Sequence, residues 1–120
     1  DYICIETTFE LSYKDKEEIK NVMDSRKQRR IESQPLDMPS AGSVFRNPEG
    51  EFAGKLIEDS GLKGKKHGGA MISDKHANFV VNYDKASAED IKYLIDLAHD
   101  TVYKNYNIDM KIEQEFVNWE

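Results

Sequence analysis

Apolar side chains recur at helical spacing in the last third of the chain, and this pattern limits the possible folds more than any other feature. The spacing is i, i+3, i+4, i+7, as in a helix that packs one face against a core. The residues of the stripe are Ile91, Leu94, Ile95, Ala98, Val102 and Tyr106. Just before it, Ser87 is a predicted N-cap, and Asp90 completes a capping box. The stripe therefore predicts a long packed helix and not a cofactor-binding segment.

The segments before this helix predict short strands and two more helices. Asp15 and Glu18 predict the start of a helix over residues 15–32, and Gly61 predicts the end of another over residues 52–59. Strands are predicted over residues 2–12, 43–46, 70–72, 78–81 and 110–118. The element order is β-α-β-α-β-β-α-β. It predicts an α+β fold with a small mixed or antiparallel sheet packed with about three helices.

Length and charge limit the class of protein. The chain has 120 residues, which predicts one domain. Its net charge of −6 argues against a nucleic-acid coat, and no apolar run approaches the roughly 20 residues of a membrane span. The lone Cys4 fits a reducing cytoplasm and is predicted to be a small buried side chain. Because the chain opens at Asp1 without an initiating Met, it reads as a piece of a longer protein.

Two polar segments have alternative interpretations. Residues 26–30, Arg-Lys-Gln-Arg-Arg, are either a phosphate or nucleic-acid patch or a solvated helix end. The lack of interleaved aromatic residues favours the solvated end. Residues 61–69, with four glycines, are either a diphosphate cradle or a turn, and the lack of a P-loop pattern favours the turn. His67, His76 and His99 are not spaced as zinc ligands, so no metal is predicted.

The segment from Ser40 to Pro48 reads Ser-Ala-Gly-Ser-Val-Phe-Arg-Asn-Pro. Gly42 allows backbone geometry that is closed to other residues, so the chain can turn sharply beside a ligand. Ser43 then opens a short apolar run, where its hydroxyl can be held at the rim of a sheet. Pro48 ends the ladder because it has no N–H to donate. On spacing alone, this segment is a tight turn with two serines.

The same segment resembles the signature of the UDP-N-acetylenolpyruvoylglucosamine reductase family (the MurB family). Further motifs follow in that family's order along the chain. They are Ala-Gly-Lys-Leu-Ile-Glu at 53–58, Gly-Leu-Lys-Gly at 61–64, Gly-Gly-Ala-Met-Ile-Ser at 68–73, Lys-His-Ala-Asn-Phe-Val-Val-Asn at 75–82, Ala-Ser-Ala-Glu-Asp-Ile at 86–91 and Ile-Glu-Gln-Glu-Phe at 112–116. Because separate motifs agree in sequence and spacing, the chain is similar to the family's C-terminal third.

The resemblance implies a flavin-dependent reductase of peptidoglycan precursor synthesis. In that family NADPH reduces FAD, and the reduced flavin passes a hydride to the enolpyruvyl ether of UDP-N-acetylglucosamine. A positioned acid then quenches the carbanion, and the product is UDP-N-acetylmuramate. The implied activity is that of a UDP-N-acetylmuramate dehydrogenase in the cytoplasm.

The resemblance also implies roles for individual residues. Ser43 corresponds to the proton donor. Glu115 corresponds to the acid that polarises the substrate carboxylate, and an arginine from outside this chain is expected to assist it. Asn47, Arg46 and Gly42 correspond to substrate-binding positions.

Three further polar residues, Glu113, His76 and His99, have roles predicted from their positions in the sequence. Glu113 precedes Glu115 by two positions, so the predicted strand places both carboxylates on one face. The alternative is two exposed charges on an edge strand. His76 is predicted to hold a loop by hydrogen bonds, and His99 is predicted to be solvated on the polar side of the last helix.

The resemblance implies that the chain is divided into two parts. Residues 1–13 are a strand shared with a flavin-binding part that is expected N-terminal to this chain, and residues 14–120 are the C-terminal substrate-binding domain. The expected partners are a UDP-sugar substrate and the protein's own N-terminal flavin-binding domain, with no nucleic acid and no membrane. FAD would be bound mainly outside this chain, so the chain alone is expected to be inactive. The alternative is a noncatalytic interaction or nucleic-acid-binding module that uses the helix segment 26–30.

Overall fold

The computed structural model describes residues 3–117, and the chain divides into two compact units, residues 1–32 and 33–120. In chain order, the described elements are α1 (Lys16–Ser33), β1 (Ser40–Ser43), α2 (Ala53–Asp59), β2 (Lys66–His67), β3 (Ala70–Ile72), β4 (Phe79–Asn82) and α3 (Ala88–Tyr106). The three helices and the antiparallel sheet confirm the predicted α+β class. Within these residues, no helix has the length and apolar character needed to cross a membrane.

The first unit consists of an irregular segment followed by most of α1. Asp15 caps the helix, because its Oδ1 accepts hydrogen bonds from the backbone N–H of Glu17 at 2.9 Å and of Glu18 at 3.0 Å. These bonds confirm the predicted helix start. All of α1 lies in the described chain, and no residue of it is buried. Cys4 is exposed as well, so the prediction of a buried cysteine is wrong.

The strand predicted over residues 2–12 is not formed in the described part of that range, since residues 3–14 have no regular secondary structure. Residue 2 lies outside the described residues. A strand needs a neighbour for its backbone hydrogen bonds, and the sheet described here contains no strand from this segment. The proposed division at residue 13 stays a prediction.

The four strands form one antiparallel sheet in the order β1-β4-β3-β2. β1 ends at Ser43 and does not extend over the predicted range 43–46. The reason is that β4 begins at Phe79. Phe45 forms hydrogen bonds with the side chain of Asn78 instead of backbone hydrogen bonds with β4. β2, which was predicted as part of a turn, pairs with β3 through His67.

α3 packs against β2, β3 and β4 and supplies much of the core of the second unit. Its four buried residues are Leu94, Ile95, Ala98 and Val102, each at most 2% exposed. The capping box is present: the Ser87 hydroxyl accepts from the Asp90 N–H at 3.1 Å, and the Asp90 carboxylate accepts from the Ser87 N–H at 3.0 Å. The predicted helix and its cap are therefore confirmed.

The turn between β2 and β3 lies against the N-terminal end of α3. The N–H of Gly69 donates to the Asp90 carboxylate at 3.2 Å. Together with the hydrogen bond from Ser87, which has the larger effect, this bond holds the pKa of Asp90 below its usual range. A Cβ at Gly69 would overlap the backbone of Asp84 and Ala86. Glycine here permits close packing at the turn that joins β2 to β3.

The strand predicted over residues 110–118 is reduced to one antiparallel bridge between Phe45 and Ile112. Beside this bridge, the Arg46 N–H donates to the Lys111 carbonyl at 2.9 Å. The ladder does not continue because the next carbonyl, that of Gly42, accepts from the side chain of Gln114 instead of a backbone N–H. From residue 113 to residue 117 the segment is irregular, and residue 118 lies outside the described chain.

Candidate functional site

β1 contains a bulge next to Ser43, the predicted proton donor. Ser40 lies opposite Val81 and Ser43 lies opposite Phe79, so β1 has one residue more than β4 between the two pairs. Gly42 has a φ of +83°, a conformation that favours glycine and is common in bulges. Ser43 is half-buried, and its hydroxyl has no hydrogen-bond partner among the described residues.

Asn78 holds the two residues that follow Ser43. Its backbone carbonyl accepts from the Val44 N–H at 2.9 Å. Its side-chain Oδ1 accepts from the Phe45 N–H at 3.0 Å, and its Nδ2 donates to the Phe45 carbonyl at 2.8 Å. Asn78 is 4% exposed, so these bonds lie inside the protein. Together they continue the pairing of β1 beyond Phe79, the first residue of β4.

His76 forms a hydrogen bond with Asn78, and Ser73 forms one with His76. His76 Nδ1 accepts from the Asn78 N–H at 3.2 Å, and the Ser73 hydroxyl accepts from the His76 N–H at 3.2 Å. Burial lowers the pKa of His76 below its usual range, which favours the neutral ring that this acceptor role requires. The predicted role of His76, to hold a loop by hydrogen bonds, is confirmed.

The C-terminal segment lies beside the bulge. Gln114 Nε2 donates to the Gly42 carbonyl at 3.2 Å, and the Glu113 N–H donates to the Val44 carbonyl at 2.8 Å. Glu115 follows; it is exposed and lines an open cleft of about 350 Å³. The predicted strand face shared by Glu113 and Glu115 is not formed, because the segment is irregular after the single bridge. Ser43 and Glu115 nevertheless lie on neighbouring segments.

Asn47 and Arg46 lie on the other side of Phe45. Asn47 Oδ1 accepts from the Ala53 N–H at 3.0 Å, which satisfies the first turn of α2. Asn47 also lines a second cleft, of about 260 Å³, together with His76. Glu115 is not in this cleft, so the structure groups Asn47 apart from Glu115. The Arg46 side chain is exposed.

His99 lies between two aspartates. Its Nε2 is 2.8 Å from Asp109 Oδ1, and its Nδ1 is 3.1 Å from Asp100 Oδ1. These hydrogen bonds, first the one to Asp109, raise the pKa of His99. The side chain is only 30% exposed, so the prediction of a solvated histidine is corrected. His99 ties α3 to the segment that leads to Glu115.

Two residues that shape this region had no assigned role in the sequence interpretation. Asn78 stands at the start of an apolar run, and a buried polar residue in such a run usually forms hydrogen bonds that fix its neighbours. That signal could have identified it. Gln114 offers no local signal, because its partner Gly42 is 72 residues away along the chain. Among residues 3–117, no group of three or more His, Cys, Asp or Glu side chains is placed to hold a metal ion.

Comparison with a solved structure defines the class. The crystal structure of UDP-N-acetylenolpyruvylglucosamine reductase (MurB) from Thermus caldophilus matches with a TM-score of 0.76 at 38% sequence identity. The match covers 88% of this chain and 37% of that one. The α+β fold described above is therefore that of one domain of a reductase.

The sequence comparisons show the family. The C-terminal domain of UDP-N-acetylenolpyruvoylglucosamine reductase matches residues 34–117. The chain belongs to this family, which confirms the resemblance seen in its motifs.

Curated relatives support the same assignment. The UDP-N-acetylenolpyruvoylglucosamine reductase of Clostridium botulinum (strain Okra) is 45% identical over 119 residues, 99% of this chain. The protein of the same name from Halalkalibacterium halodurans is 48% identical over 117 residues, 98% of this chain. In both cases the match covers 39% of the relative, so the chain spans about two fifths of the length of these proteins.

Proposed function

We propose that the chain is the substrate-binding domain of a reductase that converts UDP-N-acetylglucosamine enolpyruvate to UDP-N-acetylmuramate, with NADPH as reductant. The observation that carries this proposal is the bond from Gln114 to Gly42, which joins segments 72 residues apart. This bond brings the segment of Glu115 beside that of Ser43. The names of the relatives supply the reaction class.

FAD is proposed to bind outside these residues. The two clefts described above have volumes of about 260 and 350 Å³ and are open. The sequence also has no Gly-x-Gly-x-x-Gly pattern, which dinucleotide-binding turns use to approach a diphosphate. Neither observation favours a flavin site among the described residues. We assign the flavin to the part of the relatives that this chain does not span, and we expect the chain alone to be inactive.

Ser43 is proposed to give the proton. Reduction at the β-carbon of the enolpyruvyl group leaves an electron pair on the α-carbon. That pair then forms a C–H bond with the Ser43 proton. The bonding pair of the broken O–H bond stays on the serine oxygen, which takes a proton from water. A hydroxyl is a weak acid, but a carbanion is a strong base, and fixed geometry assists the transfer. The hydroxyl is half-buried and has no competing partner among the described residues, which supports this role.

Glu115 is proposed to polarise the substrate carboxylate, together with an arginine from outside the chain. Its place on an open cleft of about 350 Å³ leaves room for a ligand. Arg46, Asn47 and Gly42 are proposed to contact the substrate. The Asn47 oxygen is already bonded to Ala53, so Asn47 would offer its Nδ2 group as a donor.

The proposed partners are the UDP-sugar and the flavin-binding part of the same protein, in the cytoplasm. No observation in the described residues favours the alternative, a nucleic-acid-binding module. The basic residues of α1 share the helix with Glu17, Glu18, Asp24 and Glu32, and no aromatic residue accompanies them. Stacking aromatics are the usual companions of basic residues in single-strand binders.

The test is the rate at which the enolpyruvyl substrate reoxidises the reduced flavin in the full-length reductase. In Ser43→Ala, this rate is expected to fall about 10²–10⁴-fold, as is typical when a general acid is lost. Reduction of the flavin by NADPH is expected to keep its wild-type rate, because that step needs no proton from Ser43.

Ser40→Ala is the matched control. It makes the same change three residues away and removes only a 3.4 Å contact with the Gly42 N–H, so both steps should keep their wild-type rates. An unchanged rate in Ser43→Ala would remove Ser43 from the proton transfer. A wild-type enzyme whose reduced flavin is not reoxidised by the substrate would overturn the reductase proposal itself.

A further inference from the structure

β4 begins at Phe79, opposite Ser43, so it has no residue opposite Val44 and Phe45, and Asn78 takes the place of the missing strand pairing. Three hydrogen bonds of 2.8 to 3.0 Å join Asn78 to the backbone of these two residues. One side chain thereby satisfies both the N–H and the carbonyl of Phe45. Asn78 therefore bonds to both residues directly after Ser43, while the Glu113 N–H donates to the Val44 carbonyl at 2.8 Å.

Burial makes this asparagine hard to replace. Val44, Phe45 and Asn78 are 1%, 2% and 4% exposed, so water has little access to replace a lost bond. A carboxamide presents a donor and an acceptor at a fixed angle. Aspartate has the same shape and keeps the acceptor, but its ionised form has no donor for the Phe45 carbonyl.

The hydrogen bonds to the two residues after Ser43 are shorter than those to Gly42, which precedes it. Before it, Gly42 has no side chain, adopts a φ of +83°, and has open space around the direction a Cβ would take. The Gly42 carbonyl is held by one side chain, that of Gln114. After Ser43, three of the four described hydrogen bonds to the backbone of Val44 and Phe45 are formed by Asn78, and the fourth is formed by Glu113. The position of the Ser43 hydroxyl thus depends on Asn78.

We propose that Asn78 is the positioning residue for the Ser43 hydroxyl. This inference rests on the proposed function, in which Ser43 gives a proton to the substrate carbanion. Proton transfer requires close, aligned partners, and a misplacement of about 1 Å can slow such a step by about 10²-fold. Asn78 does not touch the substrate in this proposal; it acts through the backbone of Val44 and Phe45.

The test compares Asn78→Asp in the full-length reductase with Asn78→Asp in a Ser43→Ala background. In the otherwise wild-type enzyme, flavin reoxidation by the enolpyruvyl substrate should slow about 10-fold to 10²-fold. Flavin reduction by NADPH and the Kd of the substrate should not change. In the Ser43→Ala background the same change should add no slowing, because no hydroxyl is left to position. Equal slowing in both backgrounds, or none in either, would overturn the inference.

Asn82→Asp is the matched control. Asn82 is the last residue of β4, the strand that Asn78 directly precedes, and its Oδ1 accepts from the Ala86 N–H at 2.9 Å, a bond that aspartate retains. Slowing as large as that of Asn78→Asp would show a general effect of charge on β4 and would overturn the inference. An unchanged Ser43→Ala enzyme would overturn the proposed function and this inference with it. A slowed Ser43→Ala enzyme with an unchanged Asn78→Asp enzyme would overturn the inference alone.

Hydrogen exchange in the unmodified full-length reductase gives a readout that needs no variant to fold. The Phe45 amide is expected to exchange as slowly as the amides of β4, because Asn78 Oδ1 accepts its hydrogen in a buried setting. An amide at Phe45 that exchanges as fast as those of exposed loops would overturn the inference.

Discussion

Helices α1 and α3 have nearly the same length and are both capped at the N-terminus, yet only α3 is part of a core. α1 has 18 residues and α3 has 19. Asp15 caps the first and Ser87 caps the second. α3 has four buried residues, whereas the described chain buries no residue of α1. The local signals that start a helix are therefore separate from the pattern that packs it.

The difference lies in how far the apolar stripe extends. In α1, Ile19, Val22 and Met23 share a face, but the next large apolar residue is Ile31, eight positions later. These four side chains are 43–64% exposed. In α3 the stripe continues from residue 91 to residue 106. A cap defines where a helix begins, but only a continuous stripe gives it a face to bury.

The largest expected effect comes from the same substitution made in both helices. Ile95→Ala removes a side chain that is 0% exposed and should lower the free energy of unfolding by about 2–5 kcal/mol. Ile19→Ala removes a side chain that is 44% exposed and should change it by less than about 0.5 kcal/mol. Urea denaturation followed by circular dichroism measures both. An equal loss in the two variants would contradict the contrast between the helices.

An intermediate effect is expected from removing each cap. Ser87→Ala should lower the free energy of unfolding by about 0.5–2 kcal/mol, because the cap bond at the start of a packed helix is lost. Asp15→Ala removes two bonds of the same kind, but α1 has no buried face to transmit the loss. It should reduce helical circular dichroism while the denaturation midpoint stays unchanged. A shifted midpoint in Asp15→Ala would show that α1 is coupled to the core.

The smallest expected effect is a pH dependence confined to the second unit, since the first 32 residues contain no histidine. Hydrogen bonds to Asp109 and Asp100 raise the pKa of His99, so its stabilisation is full below about pH 6.5 and is lost as pH rises through the folded value. Burial lowers the pKa of His76, so its stabilisation is present above about pH 6.5 and is lost as pH falls through the folded value. The combined stabilisation by the two histidines should be greatest near pH 6.5.

Thermal unfolding between pH 5 and pH 8 measures this dependence, and His99→Asn separates the two histidines. The variant should lose the decline above pH 6.5 and keep the decline below it. The helical signal of α1 should stay constant over this range. Identical dependences of thermal stability on pH for the wild type and the variant would show that His99 does not cause the decline above pH 6.5.

Features encoded by neighbouring residues could be predicted from the sequence. The capping box of α3 lies within four residues, and its stripe repeats every turn, so both were predictable. The position of Ser43 in a motif was predictable by resemblance. Its bulge was not, because the register of β1 depends on Val81 and Phe79, which are 41 and 36 residues away from their partners Ser40 and Ser43.

Features that depend on distant partners could not be predicted from local patterns. Residues 110–118 alternate as a strand does, but the bulge at Gly42 leaves them no ladder beyond one bridge. Residues 3–14 alternate as well, and they form no strand of the described sheet. Alternation shows that a segment is able to pair, whereas the partner decides whether it does.

The bulge in β1 also determines which genetic changes this edge strand can accept. Because side chains of a strand alternate between faces, gaining or losing one residue between Ser40 and Ser43 would exchange the faces of every residue on one side of the change. Ala41 is exposed, so its replacement by another small residue keeps the spacing. An in-frame loss of its codon should be far more harmful than any such replacement. At Ala41 the fold therefore constrains the number of codons more tightly than the identity of the residue.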